Sequence, residues 1–294
     1  MNAFAQYAVD TVSVGGLYAL TALGIGLIFG VMRLINFAHG ELITAVGYGL
    51  LLLSGAALPV AMAGSLAIAV LLALAMERVA FRPLRGADPE TLLIASFAVS
   101  FFLQKTLALT VGARAKGIDF LPRLGEPITI LGLRLQTLQL VTILTSAVLL
   151  AALSWFLART RWGLEMRAAA ENFQMARLLG VRANRVIAVA FALSGVLAAA
   201  VAFLFVAQSG TLTPRMSLEL VVIAFVGTAI GGLGSLVGAA VGGFLVGAAS
   251  VILQTVLPPD LRAFREAFAF ALVILVLLVR PQGLFPARGL KERV

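Results

Sequence analysis

The sequence predicts an all-α, polytopic membrane fold with eight to nine transmembrane helices, one or two of them broken or half-helices. Three observations carry that prediction. First, the 294 residues are 61% hydrophobic and only 12% charged, whereas soluble domains average about 25% charged. Mean hydropathy is +1.07. Second, apolar segments recur along the whole chain at lengths near the roughly 20 residues a membrane span needs. Third, arginine is densest in a few of the connections between them. Residues 1–294 therefore read as a single transmembrane domain embedded in a lipid bilayer.

Five segments are expected in the first half: Thr11–Met32, Glu41–Ser54, Leu58–Ala80, Thr91–Thr110 and Thr137–Ala158. Four follow in the second: Val186–Gln208, Ser217–Gly232, Leu236–Leu257 and Phe264–Val279. The segments starting at Glu41 and Ser217 are short enough to be half-helices. The N-terminus, MNAFAQYAVD, has no basic residue ahead of its apolar run, so no cleaved secretory signal is expected.

Basic residues set the sidedness. Arg78, Arg82 and Arg85 share one loop, six arginines lie within 159–185, and Arg280, Arg288, Lys291 and Arg293 lie in the tail. Alternating spans put all three regions on one side, which the positive-inside rule makes cytoplasmic. The N-terminus is then outside and the C-terminus inside. The same rule accounts for the net charge of +9, so nucleic acid is not an expected partner. Alternation places loop 112–136 outside, which its Arg114, Lys116, Arg123 and Arg134, offset by Asp119 and Glu126, weakly oppose. Its ITILGLRL stretch suggests a hairpin turning at Leu131–Gly132.

Loop 159–185 is the anomaly in an oily chain. It carries six arginines and two glutamates, a local net charge of +4. Read as one helix from Leu164 to Leu179, it places Leu164, Ala168, Met175 and Leu179 in one narrow arc, with Glu171 on the same arc. Arg167 lies one turn before Glu171, close enough to pair with it. Gly180 supplies a helix stop.

Glycine punctuates the second half at 227, 231, 232, 234, 238, 242, 243 and 247, with repeated spacings of four that let helix backbones approach closely. Gly231, Gly232 and Gly234 also interrupt the apolar run. Such a break lines a cavity or is covered by protein. The stretch RLINFAHGE, residues 33–41, is a partial counterpart in the first half, and two interrupted segments in opposite halves hint at a transporter repeat.

Asn36, His39 and Glu41 cluster at the start of an apolar segment. One reading is a helix N-terminus, with Asn36 as cap and Glu41 favouring the positive dipole end. The other is a polar break beside a substrate path; the two are compatible. Lys105 is the most deeply embedded basic residue, and its nearness to the outer end of its span favours snorkelling. Glu77–Arg78 reads as an interfacial pair, and Glu219 as the outer start of its span.

Enzyme chemistry finds no support. There is no cysteine and one histidine, so neither a thiolate nor a multi-histidine metal site is available. G-x-S-x-G, HExxH and Walker A patterns are absent. No cofactor or metal is expected, and the chain by itself lacks the P-loop needed to hydrolyse ATP.

Several stretches converge on one resemblance. GLYALTALGIGLIFGVMRLINFAHGE (16–41) resembles the opening signature of the branched-chain amino acid ABC importer permeases. GLEMRAAAENFQMARLLG (163–180) resembles that family's cytoplasmic coupling loop, and GGLGSLVGAAVGG (231–243) and RPQGLF (280–285) also fit its pattern. The resemblance implies a permease working with two ATP-binding subunits, a second related permease or a second copy of itself, and an extracytoplasmic solute-binding protein. It implies a coupling helix within 163–180 that seats on the ATPase. RAAAEN stands where other importers have an E-A-A start, while Gly180 keeps the downstream glycine. Related permeases carry urea, short amides or small organic acids, and no residue here separates those cargoes. The further alternative, a secondary transporter or channel working alone, leaves the coupling-like loop unexplained.

Overall fold

In the computed structural model of this chain, residues 2–130 and 133–285 are described. Each expected apolar segment forms a helix. These are α1 (Asn2–Met32), α2 (His39–Leu52), α3 (Leu58–Met76), α4 (Pro89–Thr110), α5 (Thr137–Arg159), α8 (Ala183–Ser209), α9 (Leu218–Gly231), α10 (Leu236–Val256) and α11 (Arg265–Val279). Two further helices, α6 (Arg161–Glu171) and α7 (Phe173–Leu178), occupy the arginine-rich loop. Among the described residues six helices are long and apolar enough to cross a membrane, and the apolar stretches Leu218–Gly231 and Ala267–Val279 are shorter.

α1 is the central post. It is 89% buried over its most apolar window, against 17% for α4. Its small residues admit α10 at backbone distance. A Cβ on Gly243 would lie 2.7 Å from the Tyr18 carbonyl oxygen, and one on Gly247 would lie 2.7 Å from Gly15 Cα. This close glycine seam, and not hydrophobic transfer between lipid-soluble helices, is what holds such a pair together.

α2 and α9 are the half-helices. The chain leaves α1 through Arg33, whose φ of 58° turns it back toward the bundle interior. The His39 ring then packs against Gly24, eight residues or about 12 Å back from the end of α1. Hence α2 starts near mid-bundle. Its Gly47 packs against Val206 of α8 and Leu212, so it runs away from the Arg33 end. α9 starts at the same level: Ser217 accepts a hydrogen bond from Thr44 at 2.8 Å, and Val221 covers Gly40. It runs the opposite way and ends at Gly231. Ser217–Gly232 is therefore not a span that starts at the outer end, and Glu219, exposed on the first turn of α9, stands at mid-bundle depth. The counterpart of the 33–38 interruption is residues 210–217, not Gly231–Gly234.

Two small β elements cover the end opposite Arg33. β1 (Lys116–Gly117) pairs with β4 (Thr211–Leu212), and β2 (Pro127–Ile130) pairs antiparallel with β3 (Leu133–Gln136). The expected hairpin is present in its strands, with Ile130 opposite Leu133; its turn, Leu131–Gly132, lies outside the described residues. So do Arg288, Lys291 and Arg293.

At the Arg33 end, residues 280–285 fold back on α9. The Leu284 N–H donates to Ile230 O at 2.7 Å and the Phe285 N–H to Gly231 O at 2.8 Å. These bonds satisfy carbonyls that the glycine break leaves open. Gly232 and Gly283 adopt φ of 110° and 79° and meet backbone to backbone.

Candidate functional site

Two regions gather the residues that the sequence singles out. The first is α6–α7. The expected single helix is divided at Asn172, whose backbone is extended at φ −149° and ψ 100°. That residue serves both helices. Its N–H bonds Ala168 O, ending α6, and its side chain accepts from the Met175 N–H at 3.0 Å, starting α7. An asparagine side chain competes with the helix for backbone groups in this way, so the run breaks there. Thr160 caps α6 by accepting from the Gly163 N–H.

The arc read from the sequence does not pack on the bundle. Gly163, Met166 and Ala169 face inward, whereas Leu164 is 60% exposed, Met175 53% and Leu179 80%. Ala168 is half-buried, and Arg167 and Glu171 are exposed. Among the described residues neither Arg167 nor Glu171 forms an ion pair, so the pair considered between them is not made. Gly180 has φ of 90° and turns the chain toward α8. An apolar rim carrying an unpaired carboxylate thus faces away from the protein. Exposed apolar patches of this kind mark contact surfaces for proteins, membranes or ligands.

Other groups fix this loop to the bundle. Arg33 donates to Ala170 O at 3.3 Å. Arg85 bonds both Glu77 and Asn184. Glu77 thus pairs with Arg85, eight residues on, and not with its neighbour Arg78, which is exposed, because successive side chains on a helix do not face each other. A cavity of about 660 Å³ is lined by Arg85, Arg177, Arg182 and Arg185 beside α7. A second, of 260 Å³, lies between Arg33, Glu171 and Phe173. The Arg78–Arg85 loop, the 159–185 loop and the start of the tail therefore lie at one end of the bundle.

The second region is the buried polar cluster where the half-helices begin. Asn36, His39 and Glu41 are at most 2% exposed. Asn36 does not cap α2. Ala38 occupies the cap position, and Asn36 Oδ1 accepts from the Ala38 N–H at 3.1 Å, shaping the turn ahead of the helix. His39 Nδ1 lies 2.8 Å from Ser194 Oγ of α8. Glu41 sits on the first turn of α2, and its Oε1 accepts from Ser100 at 2.8 Å and from Gln104 at 2.9 Å. Asn36 Nδ2, His39 Nε2 and Glu41 Oε2 have no protein partner.

Sequence reasoning missed Ser100, Gln104 and Ser194 as the partners of this cluster, and Ser217 as the partner of Thr44 beside it. The signal available was the spacing of Ser96, Ser100 and Gln104, one face of α4. Gly231 and Gly232 lie at the far end of α9 from the cluster, against α10 and residues 280–285, and Gly234 O lies 4.0 Å from where a Cβ on Gly30 of α1 would sit. Those glycines act as close-packing positions here. At the opposite end, a cavity of about 710 Å³ is lined by Asp10, Gln139, Gln208, Gln254 and Arg262. A smaller one of 190 Å³ shares Gln208 and Gln254 and reaches Met216 and Glu219.

A helical membrane bundle with back-to-back half-helices and an outward-facing amphipathic helix pair at one end is the class that this geometry defines. Within that class, the chain belongs to the branched-chain amino acid transport permease family. The family described as "Branched-chain amino acid transport system / permease component" matches residues 7–277. The chain is 33% identical over 296 residues to the high-affinity branched-chain amino acid transport system permease protein BraD of Pseudomonas aeruginosa, covering 96% of this chain and 95% of that one. It is 32% identical over 298 residues to LivH of Escherichia coli, a permease of the same description, at the same coverage. A shorter similarity, 33% over 139 residues and 45% of this chain, joins it to the autoinducer 2 import system permease protein LsrC of Escherichia coli. Among solved structures, PsaBC from Streptococcus pneumoniae in complex with Fab superposes with a TM-score of 0.52 at 12% identity, over 94% of this chain and 92% of that one. That likeness concerns the fold alone.

Proposed function

We propose that this chain is the permease subunit of an ATP-binding cassette importer that moves branched-chain amino acids inward across the inner membrane. The observation that carries the reading is similarity over 96% of the chain to permeases described as high-affinity branched-chain amino acid transporters. The similarity to LsrC covers 45% of the chain, so autoinducer 2 is the weaker cargo reading.

The chain works with two ATPase subunits, an extracytoplasmic binding protein, and a second permease or a second copy of itself. Its arginine-rich end is cytoplasmic and its N-terminus outside. The gathering of three basic regions at one end of the bundle favours that orientation. α6 and α7 form the coupling element. Leu164 and Ala168 of α6, with Met175 and Leu179, seat in a cleft of the ATPase, and Glu171 meets a donor there. Gly180 then returns the chain to α8. ATP-driven closure of the nucleotide subunits carries α6–α7 with them. The strap from Arg33 to Ala170 passes that movement to the joint between α1 and α2. The Asn36–His39–Glu41 cluster is where the half-helices re-pair as the pathway changes its opening. A ligand drives such a cycle only by binding one state better than the other.

Reconstitution of this chain with its ATPase, binding protein and second permease tests the reading. ATP-dependent leucine uptake is expected. Glu171→Ala should weaken co-purification of the ATPase about tenfold, the scale of an interface anchor, and should lower uptake in parallel. Unchanged assembly and uptake would sink the assignment of Glu171.

A further inference from the structure

α4 carries two stripes set one residue apart. Ser96, Ser100 and Gln104 face the start of α2, where Ser96 accepts from the Phe37 N–H just ahead of the helix and Ser100 and Gln104 donate to the Glu41 carboxylate. Phe97, Phe101 and Lys105 repeat the same spacing on the adjoining face, and all three are exposed. The sequence favoured a Lys105 that snorkels to the outer boundary, but the structure turns it the other way. Cα–Cβ bonds tilt toward the N-terminus of a helix, which for α4 is the arginine-rich end. Lys105 Nζ accordingly lies 5.0 Å from the centroid of the Phe101 ring, a turn deeper.

That depth is set by its neighbour. Gln104 bonds Glu41 on the first turn of α2, so Lys105 stands level with the start of the half-helices. Among the described residues it pairs with no carboxylate. An ammonium facing hydrocarbon at such depth is costly, and charges there face a water-filled space. The aromatic stripe continues inward from it. Phe97 stacks on Phe37 at 4.2 Å between centroids, and Phe37 lies 5.3 Å from Phe225 of α9.

We propose that this outer face of α4 lines the translocation path, and that Lys105 receives the carboxylate of a passing apolar amino acid. Its aliphatic side chain slides along Phe101, Phe97 and Phe37. The proposal rests on the importer reading above and names the residues that meet the cargo. The cation–π contact holds the ammonium in place without neutralising it, so it keeps its attraction for a carboxylate. The path runs along the outside of this chain, against the second permease. It does not pass between the half-helices, where a Cβ on Gly40 would already overlap Val221 and lie 3.0 Å from Ser217 Oγ.

The chain has no cysteine, so single-cysteine variants report without background. In the assembled, cycling importer, Phe101→Cys and Lys105→Cys should react with membrane-impermeant methanethiosulfonates. Phe102→Cys, exposed on the next face, should not. Lys105→Cys should slow leucine uptake roughly tenfold, the scale of a lost charge-assisted contact. Aminoethyl modification, which rebuilds an ammonium, should restore uptake, and sulfonatoethyl modification should not. Unreactive thiols at 101 and 105, with normal uptake by Lys105→Cys, would overturn the proposal. Loss of ATP-driven uptake in the cysteine-free parent would instead strike the importer reading, and the labelling pattern still decides whether this face is wet.

Discussion

His39 shows how single residues fix this interior. Its ring fills the space that Gly24 leaves open, and Ser194 holds Nδ1 in place. Removing one partner of a buried pair leaves the other without its hydrogen bond. Ser194→Ala should therefore cost about 1–3 kcal/mol, read as a lower thermal unfolding midpoint of the detergent-solubilised protein. The polar cluster itself was legible: Asn36, His39 and Glu41 stand together in an apolar context. Their partners were not, because Ser100, Gln104 and Ser194 lie 59, 63 and 155 residues away from the groups they bond. Glu77 repeats the lesson at shorter range. A carboxylate beside Arg78 finds Arg85 instead, because successive residues on a helix point apart.

At the scale of elements, helix existence followed from apolar length, and depth did not. Ser217–Gly232 has the composition of a span, yet α9 begins at mid-bundle because Thr211–Leu212 is tied to β1 and the chain must then descend. Pro214, just ahead of the run, was the available hint. Likewise, an angular plot cannot see that Asn172 ends one helix and begins another. The arc survives the break because α6 and α7 present their exposed residues outward together. Gly180 governs how α7 joins α8. At φ of 90° a side chain is strained whatever the surrounding space, and here the space is open. Gly180→Val should cost roughly 1–2 kcal/mol of local order. Uptake should fall while membrane insertion and the yield of folded protein hold; normal uptake would count against α6–α7 as the coupling element.

At the scale of the whole molecule, sidedness is the claim with the widest reach. Arg177→Cys and Arg262→Cys lie at opposite ends of the bundle, beside the arginine-lined and glutamine-lined cavities. In sealed, right-side-out vesicles an impermeant thiol reagent should label Cys at 262 from outside and at 177 only after permeabilisation. The reverse pattern would invert the topology. The proposed orientation rests on arginine placement, because charge is the one sequence property that a membrane sorts by side. The glycine seam between α1 and α10 was visible as spacing, though not its partner. The clasp of residues 280–285 on α9 bears on how the protein is made. Ile230 and Gly231 receive their donors from Leu284 and Phe285, more than fifty residues downstream in synthesis. A chain inserting from its N-terminus thus carries an open helix end through the arrival of α10 and α11. The break at Gly232 is sealed only when those last donors emerge, which makes closure of the arginine-rich end one of the final events of biogenesis.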